Sequence, residues 1–465
     1  MKKAAIVLVS AVAGLVSHGA TVTLEKISQM WPWNAKTVIE YRIDGDSNGG
    51  IGWDVVLKVT DPEGNDVTGA YAAQSGDLEY VKAGTHRLTW NPVAAGVASA
   101  APRIGLTFSL SLTQPVGRRY LVMDLSAGVG GTYTAEQMDA PPEGGFNTDV
   151  YKTTKLAFRR CRAGSYFMGS PESEAKRVVA YANNIAALTE TRHLVTFTND
   201  FYLALFELTY AQSFKVWETN VTAQAAGDYY VKQAWRPTFL STNSSTFFLY
   251  SLRGYTTEYW NNTCTDVDPE SFFGRFRSSS ANCLPSGYTL DLPTEAQWEY
   301  ACRAGTDGSW NAGAGEGDYY GVYTDSGKTA YKDGYYANTV MDLLGNYCSR
   351  NGVWDQSNQP GVGGGYLPNA WGFYDMHGNA GEVCRNVVDW TTCRNDLGDK
   401  PVVEPLNVVA TDGNGFHAVV RGGDWISSAD RCRSAARAAF YLKQNKGGYN
   451  SFRPAIVLER KASQR

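Results

Sequence analysis

Histidine is scarce in this chain, and its few copies are scattered. The 465 residues contain five histidines, and none of them begins the HExxH pattern of zinc hydrolases. A metal centre built from three histidines is therefore not expected. Beyond the N-terminal segment each histidine stands alone, and we interpret each one as structural: His86, His193, His377 and His417.

Charge of either sign is limited as well. Charged residues make up 19% of the chain and the net charge is −4, so no basic surface recommends nucleic acid or an anionic membrane as a partner. Hydrophobic residues make up 43%, which is typical of a folded protein with a substantial core. The length suits two or three domains rather than one.

Long apolar runs are absent after the N-terminus, so no membrane-spanning segment is expected. The N-terminus itself has the pattern of an export signal. Lys2 and Lys3 give a charged start, Ala4–Val16 is apolar, and Ser17–Ala20 offers small residues for cleavage. A membrane anchor is the alternative, but the apolar run is short for a bilayer. We expect a cleaved signal at residues 1–20 and a mature protein that is periplasmic, extracellular or at the cell surface.

The cysteines of an exported protein favour disulfide bonds over a metal site. There are eight, an even number, and no two form a CxxC pair, which argues against zinc. Cys384 and Cys393 are close enough in sequence to close a short loop, and so are Cys264 and Cys283. The sequence alone leaves the connectivity open.

The chain changes character near residue 150. Residues 21–115 are predicted to form an all-β sandwich of immunoglobulin or fibronectin type, because β-branched stretches alternate with turn clusters. The glycines and prolines of Gly128–Asn147 predict a linker or a long surface connection, and we place a linker at residues 116–150. Short helical patterns and glycine-rich aromatic loops then predict a second domain over residues 151–460. The stretches predicted as strands are Thr37–Arg42, Trp53–Val59 and Ile104–Leu112.

The segment Leu292–Gly305 (LPTEAQWEYACRAG) is predicted to be a helix. Thr294 and Gln297 have the spacing of a capping box, in which each side chain bonds the other residue's backbone N–H. Trp298 and Cys302 share one face with Ala301 at helical spacing, so that face is expected to be buried. We interpret Cys302 as an inert or disulfide-bonded residue rather than a reactive thiol.

The segment Gly372–Glu382 (GFYDMHGNAGE) places oxygen donors close together in a turn. Asp375 and Glu382 offer carboxylates, and Gly378 permits a bend that turns backbone carbonyls inward. Calcium prefers six to eight such oxygen ligands. The spacing does not match the EF-hand loop, and a capped turn before a strand is the alternative interpretation.

Two further segments follow in order. The block Val419–Trp425 (VVRGGDW) is predicted to contain the end of a strand, His417–Val420, followed by a Gly-Gly turn. The turn presents Asp424 and Trp425 above the strand end. In Cys432–Arg437 (CRSAAR), two arginines lie four residues apart and are interpreted as part of a structural ion pair.

These blocks, in this order, resemble the formylglycine-generating enzyme, or sulfatase-modifying factor, family. LPTEAQWEYACRAG is close to the family's LPTEAEWEYACRGG, and CRSAAR resembles its CRSAxR. The resemblance implies an α+β, C-type-lectin-like fold with bound calcium, preceded here by the all-β sandwich. The blocks that carry the resemblance are Ala163–Ser170, Phe201–Ala211, Leu292–Gly305, Leu367–Glu382, Arg421–Trp425, Cys432–Arg437 and Asn450–Arg453.

Ligands and a disulfide follow from the resemblance alone. One family calcium site maps onto the side chains of Asp375 and Glu382 and the carbonyls of Gly378 and Ala380, and the other maps more weakly onto Asn338, Thr339 and Asp355. The family joins the helix of Cys302 to the segment of Cys432, which implies a Cys302–Cys432 bridge. The sequence residues concerned are Asp375, Gly378, Ala380, Glu382, Asn338, Thr339, Asp355, Cys302 and Cys432.

The family's oxidase chemistry does not transfer to this chain. Oxygen-dependent members oxidise a sulfatase cysteine to formylglycine with two thiolates that bind copper(I). The position of the first thiolate, four residues beyond the second glycine of the pair, is Ser427, and the position of the catalytic serine is Asp424. A hydroxyl cannot replace a thiolate as a ligand for this soft ion, so copper is not expected.

Two functions follow as hypotheses. The first is sulfatase maturation by a divergent mechanism, which rests on family likeness alone. The second is an exported binding or accessory protein that holds a peptide, a glycan or a partner such as a sulfatase. The missing thiol and the added β domain favour the second. A non-haem iron oxygenase is not expected, because no helical domain with a His triad is visible.

Overall fold

The computed structural model describes most of the chain in several stretches, and it separates into two compact units. One unit comprises residues 1–119 with 164–167, and the other comprises residues 120–163 with 168–465. The described part is mostly β, with about 12% helix. The described residues are 19–30, 36–69, 73–92, 95–97, 105–115, 117–178, 189–217, 267–311, 317–324, 331–348, 353, 360–388, 401–405, 417–441 and 450–459.

The first unit contains two antiparallel sheets that share one core. A four-stranded sheet has the order β1-β2-β5-β4, and β3 pairs with β6 in the second sheet. The sequence predicts this all-β region correctly, although Ile104, the expected start of the last strand, lies outside the described residues. The strands are β1 Ala20–Gln29, β2 Thr37–Gly45, β3 Asp54–Thr60, β4 Gln74–Gly76, β5 Gly84–Trp90 and β6 Thr107–Thr113.

Alternation along β3 explains how this core forms. Val55, Leu57 and Val59 are buried, whereas Val56 between them is 45% exposed. Successive side chains of a strand point to opposite faces, so the odd-numbered set faces the other sheet. The core also takes in Trp53 and the strand residues of both sheets, which supplies the hydrophobic burial that stabilises the unit.

The GxSxG spacing of hydrolase nucleophiles occurs once in this unit, as Gly45–Gly49 (GDSNG). A nucleophile elbow lies between a strand and a helix, but this segment leads from β2 through a turn towards β3. The carbonyl of Ser47 accepts the N–H of Gly50 and Gly52, and its hydroxyl accepts the N–H of Ala83. These bonds close a turn, so the segment gives no reason to expect a hydrolase.

The second unit is built on a six-stranded antiparallel sheet, ordered β13-β21-β12-β9-β7-β8, and a four-stranded sheet, ordered β19-β18-β16-β20. Its strands are β7 Tyr120–Asp124, β8 Thr134–Met138, β9 Lys155–Cys161, β10 Gly164–Met168 (mostly grouped with the first unit), β11 His193–Phe197, β12 Phe201–Ala204, β13 Tyr288–Asp291, β14 Tyr319–Tyr323, β15 Tyr331–Asn338, β16 Gly381–Val388, β17 Val402–Val403, β18 His417–Arg421, β19 Arg437–Tyr441, β20 Asn450–Ser451 and β21 Ala455–Leu458. Its α-helices are α1 Val150–Thr153, α2 Tyr210–Val216, α3 Phe272–Ser280, α4 Glu295–Arg303 and α5 Met341–Leu344.

The linker predicted over residues 116–150 is not a linker in the structure. Strands β7 and β8 lie in this segment and form one edge of the six-stranded sheet. Leu121 and Met123 of β7 are fully buried in the core of the unit. The glycines around Gly128 belong to the turn between the two strands, so the sequence pattern marked a hairpin connection rather than a boundary.

One core joins the two sheets of the second unit. Three phenylalanines of α3 meet β9, β21 and the inward residues Val383 and Val420 of β16 and β18. Phe272 and Phe452 pack edge to face with ring centroids 5.3 Å apart, a favoured aromatic geometry. This core fixes β16 and β18, from whose ends the signature loops emerge.

None of the helices in the described residues is long and apolar enough to cross a membrane.

Candidate functional site

Two of the signature loops leave neighbouring strands at the same end of the sheet. Strand β16 begins just after the loop 372–380, and Glu382 lies opposite Arg421, the last residue of β18. The Gly378 N–H donates to the carbonyl of Gly422 at 2.8 Å, and the Trp425 N–H donates to that of Asn379 at 3.1 Å. The fold therefore brings together segments that are more than 40 residues apart in the sequence.

Helix α4 begins and ends as the sequence predicts. Thr294 and Gln297 form both bonds of the capping box, and Ala304 ends the helix in the left-handed conformation just before Gly305. The predicted apolar face is fully buried, with Trp298 and Cys302 at 0% exposure. The remaining residues of the helix are buried too, because its polar face meets charged groups rather than solvent.

Glu299 is the centre of this charged contact. It is fully buried, bonds Arg303 at 2.8 Å and also pairs with Arg421 of β18. Its carboxylate further accepts the N–H of Gly169 at 2.8 Å. Burial acts to raise the pKa of Glu299, but the two guanidinium groups outweigh it and hold that pKa below its ordinary value. The acidic residues of α4 thus hold the helix against β18.

The two arginines of the CRSAAR block are structural as well. Arg437 binds Glu295 with two bonds, of 2.8 and 2.6 Å. Arg433 binds Glu190 at 2.7 Å and Glu174 at 2.6 Å, all three side chains being buried. The interpretation of these arginines as ion-pair residues is confirmed. Two-bond guanidinium–carboxylate pairs fix orientation as well as charge.

The family's reactive positions hold a closed hydrogen-bonded pair. The Ser427 hydroxyl donates to the Asp424 carboxylate at 2.8 Å, and the Ile426 N–H donates to the same oxygen at 3.0 Å. Burial raises the pKa of Asp424, although the Ser427 hydroxyl counteracts it. Both polar groups at these positions therefore satisfy each other within the loop.

Two thiols lie beside this pair. Cys432 is fully buried, and its Sγ–H donates to the carbonyl of Ser428 at 3.6 Å. The N–H of buried Cys348 donates to the carbonyl of Ser427 at 3.1 Å. Burial, and next the charge of Asp424, raise the pKa of Cys432 well above its ordinary value. A thiol in this environment is protonated at neutral pH and is a poor nucleophile and metal ligand.

The implied Cys302–Cys432 bridge is absent, and both residues are free thiols. The side chain opposite Cys302 is Ser434, whose Oγ lies 3.7 Å from the Cys302 Sγ. Cys432 instead packs against Gly423, where an added Cβ would lie 2.6 Å from its sulfur. The residue that faces Cys302 therefore lies two positions beyond the cysteine that the resemblance implied, because the CRSAAR block carries its cysteine at its first position. Cys283 and Cys384 are also free, and their proposed partners Cys264 and Cys393 lie outside the described residues.

Replacing Ser434 with cysteine is expected to create the disulfide that the native chain lacks. The two side chains already face each other in a buried site, and a sulfur at position 434 needs only a small shift to reach bonding distance. The Ser434→Cys protein should lose two hydrogens in mass under oxidising conditions, and its free energy of unfolding should rise by about 2–4 kcal/mol. Ser434→Ala is the control. A reduced Cys302 in the folded Ser434→Cys protein, with oxidant present, would contradict this geometry.

His377 is a neutral structural residue. One ring nitrogen lies 2.7 Å from the carbonyl of Cys432 and the other accepts the N–H of Asn311 at 3.3 Å. This assigns the proton to Nδ1. Burial lowers the pKa of His377 to about 4. The ring ties the DMHGN loop to the CRSAAR segment, as expected for a histidine that is neither ligand nor base.

A buried carboxylate cluster lies under the Asp375 loop. It consists of Glu207, Asp375 and Glu382, each less than 5% exposed. Burial raises the pKa of Glu207 well above its ordinary value, and the charges of Asp375 and Glu382 add to the effect. The Oε2 atom of Glu207 has no hydrogen-bond partner. No motif in the sequence marks Glu207 as a site residue, although it lies in the block Phe201–Ala211 (FYLALFELTYA).

The carboxylates that the resemblance assigns to calcium at this cluster already have partners within the chain. Both oxygens of Glu382 bond Arg453, the shortest contact being 2.6 Å, and one also accepts the Trp298 indole N–H at 2.7 Å. Asp375 accepts the N–H of Gly364. No group of three or more His, Cys, Asp or Glu side chains suited to a metal occurs in the described part of the chain. The guanidinium of Arg453 therefore occupies the Glu382 carboxylate that the resemblance assigns to calcium.

The second predicted calcium site is also engaged in internal bonds. The Asn338 side chain accepts the N–H groups of Val340 and Met341 at 2.9 and 3.2 Å, where α5 begins. The Thr339 hydroxyl accepts the N–H of Asp318 at 3.0 Å. Asp355 lies outside the described residues. Calcium at either site therefore stays a prediction.

The family model of the sulfatase-modifying factor enzyme 1-like domain matches residues 153–453. The chain belongs to this family. The match spans more than half of the chain and covers α4, both signature loops and the carboxylate cluster. The resemblance seen in the sequence is thereby confirmed, whereas the C-type-lectin-like character of the fold stays a prediction. No curated protein matches the chain.

Solved structures give a weaker likeness. The chain is similar to PvdO from Pseudomonas aeruginosa, with 20% identity and a TM-score of 0.35 over 65% of this chain and 94% of that one. It is similar to Treponema denticola variable protein 1, with 18% identity and a TM-score of 0.35 over 65% and 95% of the two chains. For CarF the identity is 12% and the TM-score 0.27, over 63% and 97%. No functional inference follows from likenesses at this level.

Proposed function

We propose that this chain is an exported member of the family that binds a partner and does not oxidise a sulfatase cysteine. The hydrogen bond between Ser427 and Asp424 supports the proposal most. It occupies the two positions that oxidase members use for a thiolate and a serine. Copper(I) is a soft ion that requires thiolate or thioether ligands, and the Ser427–Asp424 pair offers only oxygen.

The electrostatics of the remaining thiol support the same conclusion. Cys432 lies in a fully buried site beside Asp424, and both conditions disfavour a thiolate. A thiol that binds copper or attacks a substrate needs an electropositive, accessible environment. The described surroundings of Cys432 offer neither.

The partner is proposed to be an exported polypeptide, such as a sulfatase, with a glycan as the alternative. The N-terminal export pattern favours partners outside the cytoplasm. The separate all-β unit, with its own core, is an added module that a catalytic domain does not need for chemistry. Binding through such a module together with the family domain is consistent with a scaffold that has lost its reactive groups.

A divergent oxidase is the second candidate, and one observation favours it. Cys348 lies next to Ser427 through a backbone hydrogen bond, and its thiol is close enough to influence the ionisation of Cys432. Cys348 and Cys432 together would supply two sulfurs from different segments. If this pair replaced the family's thiolates, Cys348→Ser would abolish activity, whereas Ser427→Ala would not.

Incubation of the purified chain with copper(I), oxygen and a peptide that contains CxPxR tests the proposal. We expect no aldehyde, detected with a hydrazide or aminooxy probe and by peptide mass. A family member with both thiols serves as the positive control. Formylglycine at turnover similar to that control would overturn the proposal, and its loss in Cys348→Ser would then assign the reaction to the second candidate.

A further inference from the structure

Strand β6 of the first unit has an open edge. It pairs with β3 on one side, and in the described part of the chain no strand pairs with its other side. Strand β1 of the facing sheet comes close to β6 but does not pair with it. No loop among the described residues bonds the backbone of β6 either. An open edge of seven residues is a template for another strand.

The hydrogen bonds of β3 show which backbone groups of β6 point to the open edge. The Val55 N–H donates to the carbonyl of Leu78 at 2.8 Å, on the side of β3 away from β6. Val55 stands opposite Leu112 of β6, so these two residues form a pair without mutual hydrogen bonds. Such pairs alternate with bonded pairs along the two strands. The β6 residues whose N–H and C=O groups point to the open edge are therefore Phe108, Leu110 and Leu112.

The other edges of this unit are protected. Strand β1 has a register shift between Leu24 and Lys26, and it carries charges there. Strand β4 has only three residues, and the outer edge of β3 is bonded by the segments around Val67 and Val81. Strand β6 (TFSLSLT) has no charge, no proline and no register shift. These are the devices that usually prevent edge-to-edge association, so their absence indicates that β6 takes a partner strand.

The sequence of β6 fits a second copy of itself. Read outward from Leu110, TFSLSLT is nearly the same in both directions. Antiparallel pairing of two copies about Leu110 sets Leu110 opposite Leu110, Phe108 opposite Leu112, and Ser109 opposite Ser111. The first two kinds of pair consist of residues whose backbone groups point to the open edge, so each exchanges two hydrogen bonds across the contact. The register that matches the side chains therefore also satisfies the backbone.

The side chains of β6 are compatible with this pairing. Phe108, Leu110 and Leu112 lie in the core of the unit, so each copy keeps its own packing. Ser109 and Ser111 lie on the opposite, outward face. Small hydroxyl side chains that stand opposite each other stabilise a strand pair, whereas like charges destabilise it. Two β6 strands therefore meet without a repulsive contact.

We propose that two copies of the chain associate by antiparallel pairing of their β6 strands, which joins the β3–β6 sheets of both copies into one sheet. Each copy uses its open edge once, so the assembly closes as a symmetric dimer. A contact of one strand on each side is smaller than a standard interface. We therefore expect a weak dimer, with a dissociation constant of about 1–100 µM. The inference concerns the assembly of the chain and is independent of the proposed function.

Sedimentation velocity and hydrogen exchange of the purified chain test the proposal. The native chain should pass from mostly monomer at about 1 µM to mostly dimer at about 200 µM. The amides of Phe108, Leu110 and Leu112 should exchange more slowly at the higher concentration, because they then donate to the second copy. The amides of Ser109 and Ser111 bond β3 and should exchange slowly at both concentrations.

A matched pair of double variants tests the register. Ser109→Glu with Ser111→Glu sets like charges opposite each other and should raise the dissociation constant at least about tenfold. Ser109→Glu with Ser111→Lys sets opposite charges there and should leave the constant within about threefold of the native one. Both variants change the same outward positions, and both place a glutamate beside Lys58 of β3. Their melting temperatures should therefore stay within about 3 °C of the native value.

Three results would overturn the proposal. The first is a native chain that remains monomeric at about 200 µM. The second is a dimer in which the amides of Phe108, Leu110 and Leu112 gain no protection. The third is a dimer that the two folded double variants weaken equally or leave unchanged, because the charges would then not meet across the contact.

Discussion

Replacing Glu299 with alanine is expected to lower the free energy of unfolding by about 3–5 kcal/mol. Glu299 is fully buried and pairs with Arg303 and Arg421, which are themselves buried. Its removal takes the nearest carboxylate from two buried guanidinium groups, of which Arg421 keeps only a longer contact of 3.8 Å with Glu295. The N–H of Gly169 also loses its acceptor. Urea denaturation monitored by tryptophan fluorescence measures the change.

An exposed ion pair in the same unit provides the control. Glu270 and Arg275 lie 2.6 Å apart, but their side chains are 80% and 40% exposed. Glu270→Ala should change the free energy of unfolding by less than about 1 kcal/mol. Equal effects of the two substitutions would show that burial does not determine how much the Glu299 network contributes to the free energy of unfolding.

Replacing Gly378 with alanine is expected to lower the free energy of unfolding by about 2–5 kcal/mol. Gly378 has φ +80°, a conformation that alanine adopts only with strain. An added Cβ would also overlap the carbonyl oxygen of Asn346, which is backbone and cannot rotate away. The loop would have to move from Gly422, whose carbonyl it bonds.

Gly372→Ala separates the backbone strain of a positive φ from the steric overlap of an added Cβ. Gly372 has φ +86°, close to that of Gly378, but an added Cβ there would meet no atom within 4 Å. This variant should lose only about 1–2 kcal/mol from backbone strain. The difference between the free energies of unfolding of the two variants therefore measures the cost of the steric overlap at Gly378. Equal losses would mean that the loop relaxes without cost.

Local signals in the sequence predicted much of this structure. The capping box and apolar face of α4, the strand before Gly422, and the β-rich first unit all follow from short-range patterns. These patterns are reliable because each depends on neighbouring residues. The ordered blocks also led to the correct family, since several independent matches in order are specific even when each is short.

The sequence does not predict which residues distant in the chain contact each other. Nothing local shows that Arg421 reaches Glu299, or that Ser434 rather than Cys432 faces Cys302. The sequence pattern of the hairpin of β7 and β8 predicts a linker, because its turn glycines are also typical of linkers.

Copper(I) titration of the reduced chain against a competing chelator tests whether the loop 421–427 keeps the family's frame without its soft metal ligands. We expect no stoichiometric copper(I) at chelator concentrations that leave a two-thiolate family member loaded. One tightly held copper per chain, lost in Cys432→Ser or Cys348→Ser and retained in Ser427→Ala, would contradict this expectation.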